Sequence, residues 1–177
     1  MSSKHNLEVM TSSISNEYAT PQDFFDELDR EFGFTLDPCS THKNAKCPKH
    51  FTKAENGLFQ DWVGETVFMN PPYGRETPNW IKKAFIESLK GATVVCLIVP
   101  ATDRSYWHDY IFPYAAQIRF VRGRLKFNDG KESAPFPSAV VIFTQKIKYD
   151  RKYCFFENSI ADCTKRGKKQ ITEWLEI

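Results

Sequence analysis

Short apolar runs alternate with amphipathic stripes along this chain, and the pattern predicts strands separated by helices. Ala92-Thr93-Val94-Val95-Cys96-Leu97-Ile98-Val99 is a continuous apolar run closed by Pro100. A run this long without polar alternation predicts a central parallel strand covered on both faces. Thr66-Val67-Phe68-Met69 predicts a second strand, and Phe34-Thr35-Leu36 a shorter one leading into Asp37-Pro38. Ile118-Arg119-Phe120-Val121, Ala139-Val140-Val141-Ile142-Phe143 and Tyr153-Cys154-Phe155-Phe156 complete the set. Thr20-Pro21-Gln22-Asp23 predicts a helix start, with Thr20 as cap, Pro21 at the first helical position and Asp23 closing a capping box. Phe24, Phe25 and Leu28 form that helix's apolar stripe, and it should end near Phe32-Gly33. Thr77-Pro78 opens a second helix with Ile81, Ala84, Phe85, Ser88 and Leu89 on its buried side. Residues 104–112 predict a third helix carrying Tyr106, Trp107 and Tyr110. Residues 40–61 read as loop with one short strand near Phe51, residues 1–16 as a mobile segment, and residues 171–177 as a short terminal helix. Strands alternating with helices predict an α/β sandwich around a mostly parallel sheet.

Composition narrows the class. A chain of 177 residues fits one minimal domain, here spanning 17–177 with a basic extension from about residue 144. Fifteen Phe and four Trp supply an aromatic-rich core. The net charge is only +2, so contact with a polyanion must come from local patches and not from a global field. Five Cys at irregular spacing read as reduced thiols, not as a disulfide framework. No apolar run has the length of a signal peptide or of a membrane span, which makes a cytoplasmic setting the expectation.

The strongest chemical signal is Asn70-Pro71-Pro72-Tyr73, directly after the strand at 66–69. A turn at the carboxyl end of a strand is where ligands bind in open α/β sheets. Asn70 offers a side-chain carbonyl, and Pro71-Pro72 hold the Pro71 backbone carbonyl rigidly. Two acceptors set against the two N–H bonds of a planar exocyclic amine localise its lone pair for attack on a methyl donor. Tyr73 adds a face on which an extruded base can stack. The same four residues also suit an ordinary turn with an exposed tyrosine, so the motif needs its context.

That context is a series in fixed order. Tyr18-x-Thr20-Pro21, Leu36-Asp37-Pro38-Cys39, Asn44-x-x-Cys47, Gly57-Leu58-x-x-x-Trp62 and Asn70-Pro71-Pro72-Tyr73-Gly74 come first. Trp80-x-x-Lys83-Ala84, Leu97-x-x-Pro100-Ala101-x-Asp103, Gly123-Arg124-Leu125-Lys126-Phe127 and Pro135-Phe136-Pro137-Ser138 follow. From about Asn16 to Phe143 the chain resembles the phage-type, Dam-like DNA N6-adenine methyltransferases. The resemblance implies a Rossmann-like methyltransferase sandwich using S-adenosylmethionine to methylate adenine N6 in double-stranded DNA by base flipping. It also implies a phage or prophage source, with methylation that masks DNA from restriction in the host cytoplasm. Methylation of cytosine N4, an RNA base or a protein glutamine amide stays open on the motif alone, as does a non-catalytic DNA-binding protein on the same fold.

The donor is expected at the strand ends. Asp37 can face its ammonium or ribose, and Thr20 and Pro21 its carboxylate at a helix N-terminus. Tyr18, Pro38 and Cys39 belong to the same segments by resemblance, and Glu55 or Asn56 can accept from the donor's adenine amine. The chain departs from the usual pattern in two places: Ser40-Thr41-His42 stand where glycines are common, and Asn56 stands where Asp is expected. Arg75, Arg119, Arg122, Arg124 and Lys126 are the expected DNA contacts, with Phe136 covering the base opposite Tyr73. The Lys/Arg-rich tail, which includes Lys146, Lys148, Arg151, Lys152, Lys165, Arg166, Lys168 and Lys169, reads more readily as a solvated face than as a binding site. With no room for a separate recognition domain, either loops of this domain read the sequence or a second copy in a homodimer helps. Cys39-x-x-His42 and Cys47-x-x-His50 present a ligand set zinc accepts, but the spacing is not that of a common finger, and no metal is assigned. Trp107-His108-Asp109 is not a hydrolytic dyad, because neighbours on a helix point apart.

Overall fold

A computed structural model describes residues 18–126 and 134–145, together with the backbone of the strand at 152–156. The 1–16 segment, Phe127, most of the basic tail and the terminal helix expected at 171–177 lie outside the described residues.

Helix α1 (Gln22–Phe32) leads through Gly33 into strand β1 (Leu36–Asp37). Gly33 closes the helix in the left-handed region at φ 65°, a conformation glycine adopts without a Cβ penalty. Strand β2 (Lys49–His50) and a 3-10 turn (Gly57–Phe59) occupy the long polar segment. Strand β3 (Thr66–Met69) and helix α2 (Thr77–Leu89) stand where the pattern predicts them, followed by β4 (Thr93–Ile98). A π-helical turn (Trp107–Ile111) runs into the short helix α3 (Phe112–Tyr114). Strands β5 (Gln117–Val121), β6 (Ala139–Phe143) and β7 (Lys152–Phe156) complete a sheet of order β2-β1-β3-β4-β6-β5-β7.

The sheet is mixed. The β1–β2, β1–β3, β3–β4 and β5–β7 pairs are parallel, whereas β6 runs against both β4 and β5. Strand β4 is buried at every position, as its apolar run predicts, yet only its β3 edge is parallel. An unbroken apolar run reports burial on both faces and is silent on the direction of a neighbour. The reversal of β6 matters for the site. Ala139, the first residue of β6, pairs with Ile98 at the carboxyl end of β4 and with Phe120 near that of β5. The Pro135–Ser138 turn therefore lies on the same edge of the sheet as the turns after β1, β3 and β4.

Alternation along β4 divides the core. Val94, Cys96 and Ile98 pack with Ile81 and Ala84 of α2, with Trp62, Trp80 and Trp107, and with Ile111. Val95 and Leu97 face the other way, onto Phe25 and Leu28 of α1 and onto Phe34 and Phe68. Helices thus cover both faces of one sheet, an α/β sandwich. The second face of α2 differs in detail from expectation: Leu89 is exposed, while Trp80 and Glu87 are buried. Glu87 sits inward because its carboxylate accepts from the Trp62 N–H at 3.0 Å and from Lys83 and Lys90, both at 2.8 Å.

Candidate active site

The turn after β3 is pinned from two sides. Thr77, the first residue of α2, donates its hydroxyl to the Pro72 carbonyl at 3.1 Å and accepts the Gly74 N–H at 3.1 Å. Gly74 has φ 108°, which a side chain would strain. This stitch consumes the Pro72 carbonyl, while no described residue donates a hydrogen bond to the Pro71 carbonyl. On the other side the Asn70 amide is tied to the segment before α1. Its Nδ2 donates to the Tyr18 carbonyl at 2.6 Å and to the Thr20 hydroxyl at 3.0 Å. The helix α1 consequently has no side-chain cap, and Pro21 precedes its first turn as the N-cap residue. The expected capping box is replaced: Thr20 serves Asn70, and the Asp23 carboxylate accepts from the neighbouring Phe24 N–H.

Asn70 Oδ1 receives the Tyr73 hydroxyl at 3.0 Å. The Tyr73 ring stacks on Tyr18 with centroids 5.6 Å apart, and Phe136 meets both rings edge-on at 5.0 Å. Phe136, expected to cover a base opposite Tyr73, instead touches the Tyr73 ring itself. The slot for a base between them is closed in this arrangement. Burial raises the Tyr73 phenol well above its ordinary pKa, with Cys39 and Tyr18 adding to the shift, so it remains a hydroxyl donor.

Beside this turn opens a cleft of about 660 Å³, within the usual range for small-molecule sites. Tyr18, Thr20, Asp37, Pro38, Cys39, Asn56 and Asn70–Pro72 line it, together with Lys46, Leu58, Phe68 and Trp80. The sequence pattern did not single out the last four for this role; Leu58 and Trp80 entered only as members of the ordered motif series, and Phe68 only as a residue of the predicted strand. Asp37 lies only 4% exposed where β1 ends and accepts the Lys46 N–H at 3.0 Å and the Cys39 N–H at 3.4 Å. Burial raises its pKa against the pull of those N–H donors. A buried acid at the floor of a cleft suits a ligand that brings positive charge. Gly57 holds the opposite wall close: a Cβ there would stand 2.0 Å from the Pro38 carbonyl oxygen, and the Gly57 carbonyl accepts Trp62 Nε1 at 3.1 Å. Asn56 adopts φ 52° and accepts the Leu58 N–H at 3.2 Å.

Three expected site residues stand elsewhere. Glu55 turns back to accept the Thr52 N–H at 2.8 Å, a bond that lowers its pKa, and it does not line the cleft. Pro21 also lies outside the lining. Arg119 is no part of a DNA-facing cluster. Strand alternation sets it on the face opposite Ile118, where it is 8% exposed. Its guanidinium forks onto both Glu31 carboxylate oxygens, bonds Gln117 at 2.6 Å and lies 5.3 Å from the Phe32 ring centre. Arg75, Arg122, Arg124 and Lys126 are exposed. The four-ligand set also fails to converge: His42 Nδ1 and His50 Nε2 are 2.8 Å apart, Cys47 packs in the α1-side core, and among the described residues no group of three or more such side chains is placed to hold a metal. Burial pushes the Cys47 thiol up to about 12.

Residues 9–170 match the family model for DNA N-6-adenine-methyltransferase (Dam). The chain is 28% identical over 140 residues to a DNA N-6-adenine-methyltransferase of Haemophilus phage HP1 (strain HP1c1), covering 75% of this chain and 80% of that protein. It is also 33% identical over 67 residues to "Putative methyltransferase YfdM" of Escherichia coli (strain K12), covering 34% of this chain and 74% of that one.

Proposed function

The chain belongs to the DNA N-6-adenine-methyltransferase (Dam) family, and from that premise we propose how its residues carry the reaction. It is an adenine-specific DNA methyltransferase, and methyltransferases of this kind draw on S-adenosylmethionine. The cleft fits that donor: a buried carboxylate at Asp37 answers a cationic ligand, and Pro38, Leu58, Phe68 and Trp80 give apolar walls for its adenosine. When bound, S-adenosylmethionine supplies a sulfonium methyl that an amine nitrogen attacks in line, the S–C electron pair leaving on sulfur.

The target adenine is extruded from duplex DNA, because its N6 is out of reach within the stack. Asn70 Oδ1 and the Pro71 carbonyl accept its two N–H bonds. The nitrogen becomes more tetrahedral and its lone pair turns toward the donor cleft, of which Asn70 and Pro71 are a wall. After transfer the extra proton leaves to solvent, so no side chain need act as a base. Tyr73 stacks on the adenine once it withdraws from Asn70, and Phe136 closes from the far side. Arg75, Arg122, Arg124 and Lys126 hold phosphates around the everted nucleotide.

The carrying observation is the state of Asn70: its amide nitrogen is tied back at 2.6 and 3.0 Å, and its oxygen is held by a single hydroxyl at 3.0 Å. In the free protein the tyrosine hydroxyl stands in for a substrate N–H. Asn70→Ala is expected to abolish methylation while the calorimetric affinity for S-adenosylmethionine changes less than about threefold, as for a contact made mainly in the transition state. Nucleoside analysis of DNA treated with labelled donor should place the label in N6-methyladenine. Equal loss of donor binding and turnover, or label in another base, would contradict the assignment.

A further inference from the structure

We propose that Thr20 is a positioning residue for methyl transfer, acting through Asn70; the inference rests on the role just given to Asn70. An asparagine amide has two ends of similar size and opposite hydrogen-bonding sense. With its oxygen toward the substrate it accepts an amine N–H. Turned over, it presents N–H to N–H and repels the amine. Something must therefore choose the end. Here both protons of Asn70 Nδ2 are claimed, one by the Tyr18 carbonyl at 2.6 Å and one by the Thr20 hydroxyl at 3.0 Å. The flipped amide would set its oxygen against the Tyr18 carbonyl, which can only accept, so Tyr18 chooses the end and the Thr20 hydroxyl, taking the second proton, fixes the plane of the amide.

Thr20 is suited to this task by what it does not do. It stands just before α1, yet the helix has no side-chain cap, so its hydroxyl is not spent on the helix. It is only 5% exposed, so in the parent protein the amide proton is met by this hydroxyl and not by bulk water. It also lines the donor cleft, so donor affinity is the measurement that separates a positioning role from a donor contact. The lock joins residues 50 apart in sequence and ties the turn after β3 to the start of α1.

Three variants separate this role from donor binding. Thr20→Val keeps the shape and removes the hydroxyl, Thr20→Ala removes the hydroxyl without adding any atom to the cleft, and Thr20→Ser keeps the hydroxyl. Steady-state methylation of duplex DNA and calorimetric titration with S-adenosylmethionine are measured on each full-length variant. For Val and Ala the expected result is a fall in kcat of about tenfold or more, the scale of a misoriented reacting group, with donor affinity within about threefold of the parent. Thr20→Ser restores kcat to within about threefold. Donor affinity falling in step with kcat overturns the proposal, because Thr20 is then a donor contact. Equal loss in Ser and Ala overturns it as well, and so does parental kcat in Ala. If Asn70→Ala retains turnover, the role given to Asn70 fails; if that variant is dead and Thr20→Ala is fully active, only the positioning role of Thr20 fails.

Discussion

At Tyr73 the ring and the hydroxyl have different jobs. The ring packs on Tyr18 and Phe136, and the hydroxyl occupies Asn70 Oδ1 at 3.0 Å. In the proposed reaction an incoming adenine gains from the ring and competes with the hydroxyl. Stacking of a base on an aromatic side chain is worth about 1–3 kcal/mol, about 5- to 150-fold in kcat/KM. Tyr73→Ala is therefore expected to cost at least about fivefold in kcat/KM for DNA, and Tyr73→Phe no more than about twofold. Steady-state kinetics on both variants checks the ordering; equal losses would mean that the hydroxyl contributes directly to turnover. Gly57 is a second position where one atom decides. A Cβ there would stand 2.0 Å from the Pro38 carbonyl oxygen, so the close passage of the two segments leaves no space for a side chain.

At the level of elements, α2 is anchored by an ion-pair network. Glu87 is fully buried; burial alone raises a carboxyl's pKa, but hydrogen bonds from Lys83, Lys90 and the Trp62 N–H overcome it and hold Glu87 at about 2. The folded value lies below the unfolded one of 4.5, so the stabilisation is complete above that pH and fades as pH falls toward 2. Glu87→Gln is expected to destabilise the fold by about 3 kcal/mol at neutral pH, since it leaves a desolvated lysine without its charge partner. Urea unfolding at a series of pH values should show parent and variant converging as pH drops through that window. A constant gap would mean the loss comes from packing and not from the charge. Lys83 at i−4 and Lys90 at i+3 made this network visible in spacing, but apolar periodicity placed Leu89 inward and passed over Glu87. The network tethers α2, and α2 begins at Thr77, whose hydroxyl stitches the turn after β3.

For the whole molecule, a net charge of +2 leaves DNA affinity to local cations. Arg75, Arg124 and Lys126 are exposed, while Arg119 is locked to Glu31. Each phosphate contact adds about 0.9 to the slope of log affinity against log salt. Arg124→Ala should reduce that slope by about one unit and weaken cognate and non-cognate duplexes alike, whereas Arg119→Ala should lower thermal stability and leave the slope unchanged. Fluorescence anisotropy across salt concentrations distinguishes the two; a slope change for Arg119→Ala would return it to the DNA surface.

Local chemistry wrote much of this protein into its sequence. The strand at 66–69, the proline-stiffened turn that follows, the helix opening at Thr77-Pro78 and the buried run of β4 depend on neighbours a few residues away, so patterning and backbone constraint suffice to locate them. Asp37 and Thr20, expected to face a methyl donor, both line the cleft beside that turn. What tertiary structure decided are contacts between distant parts of the chain. Arg119 meets Glu31 across 88 residues, Thr20 meets Asn70 across 50, and β6 reverses direction to bring Phe136 against Tyr73. A side chain's type fixes which bonds it can make; which partner it meets is settled only when packing of sheet and helices brings one within about 3 Å.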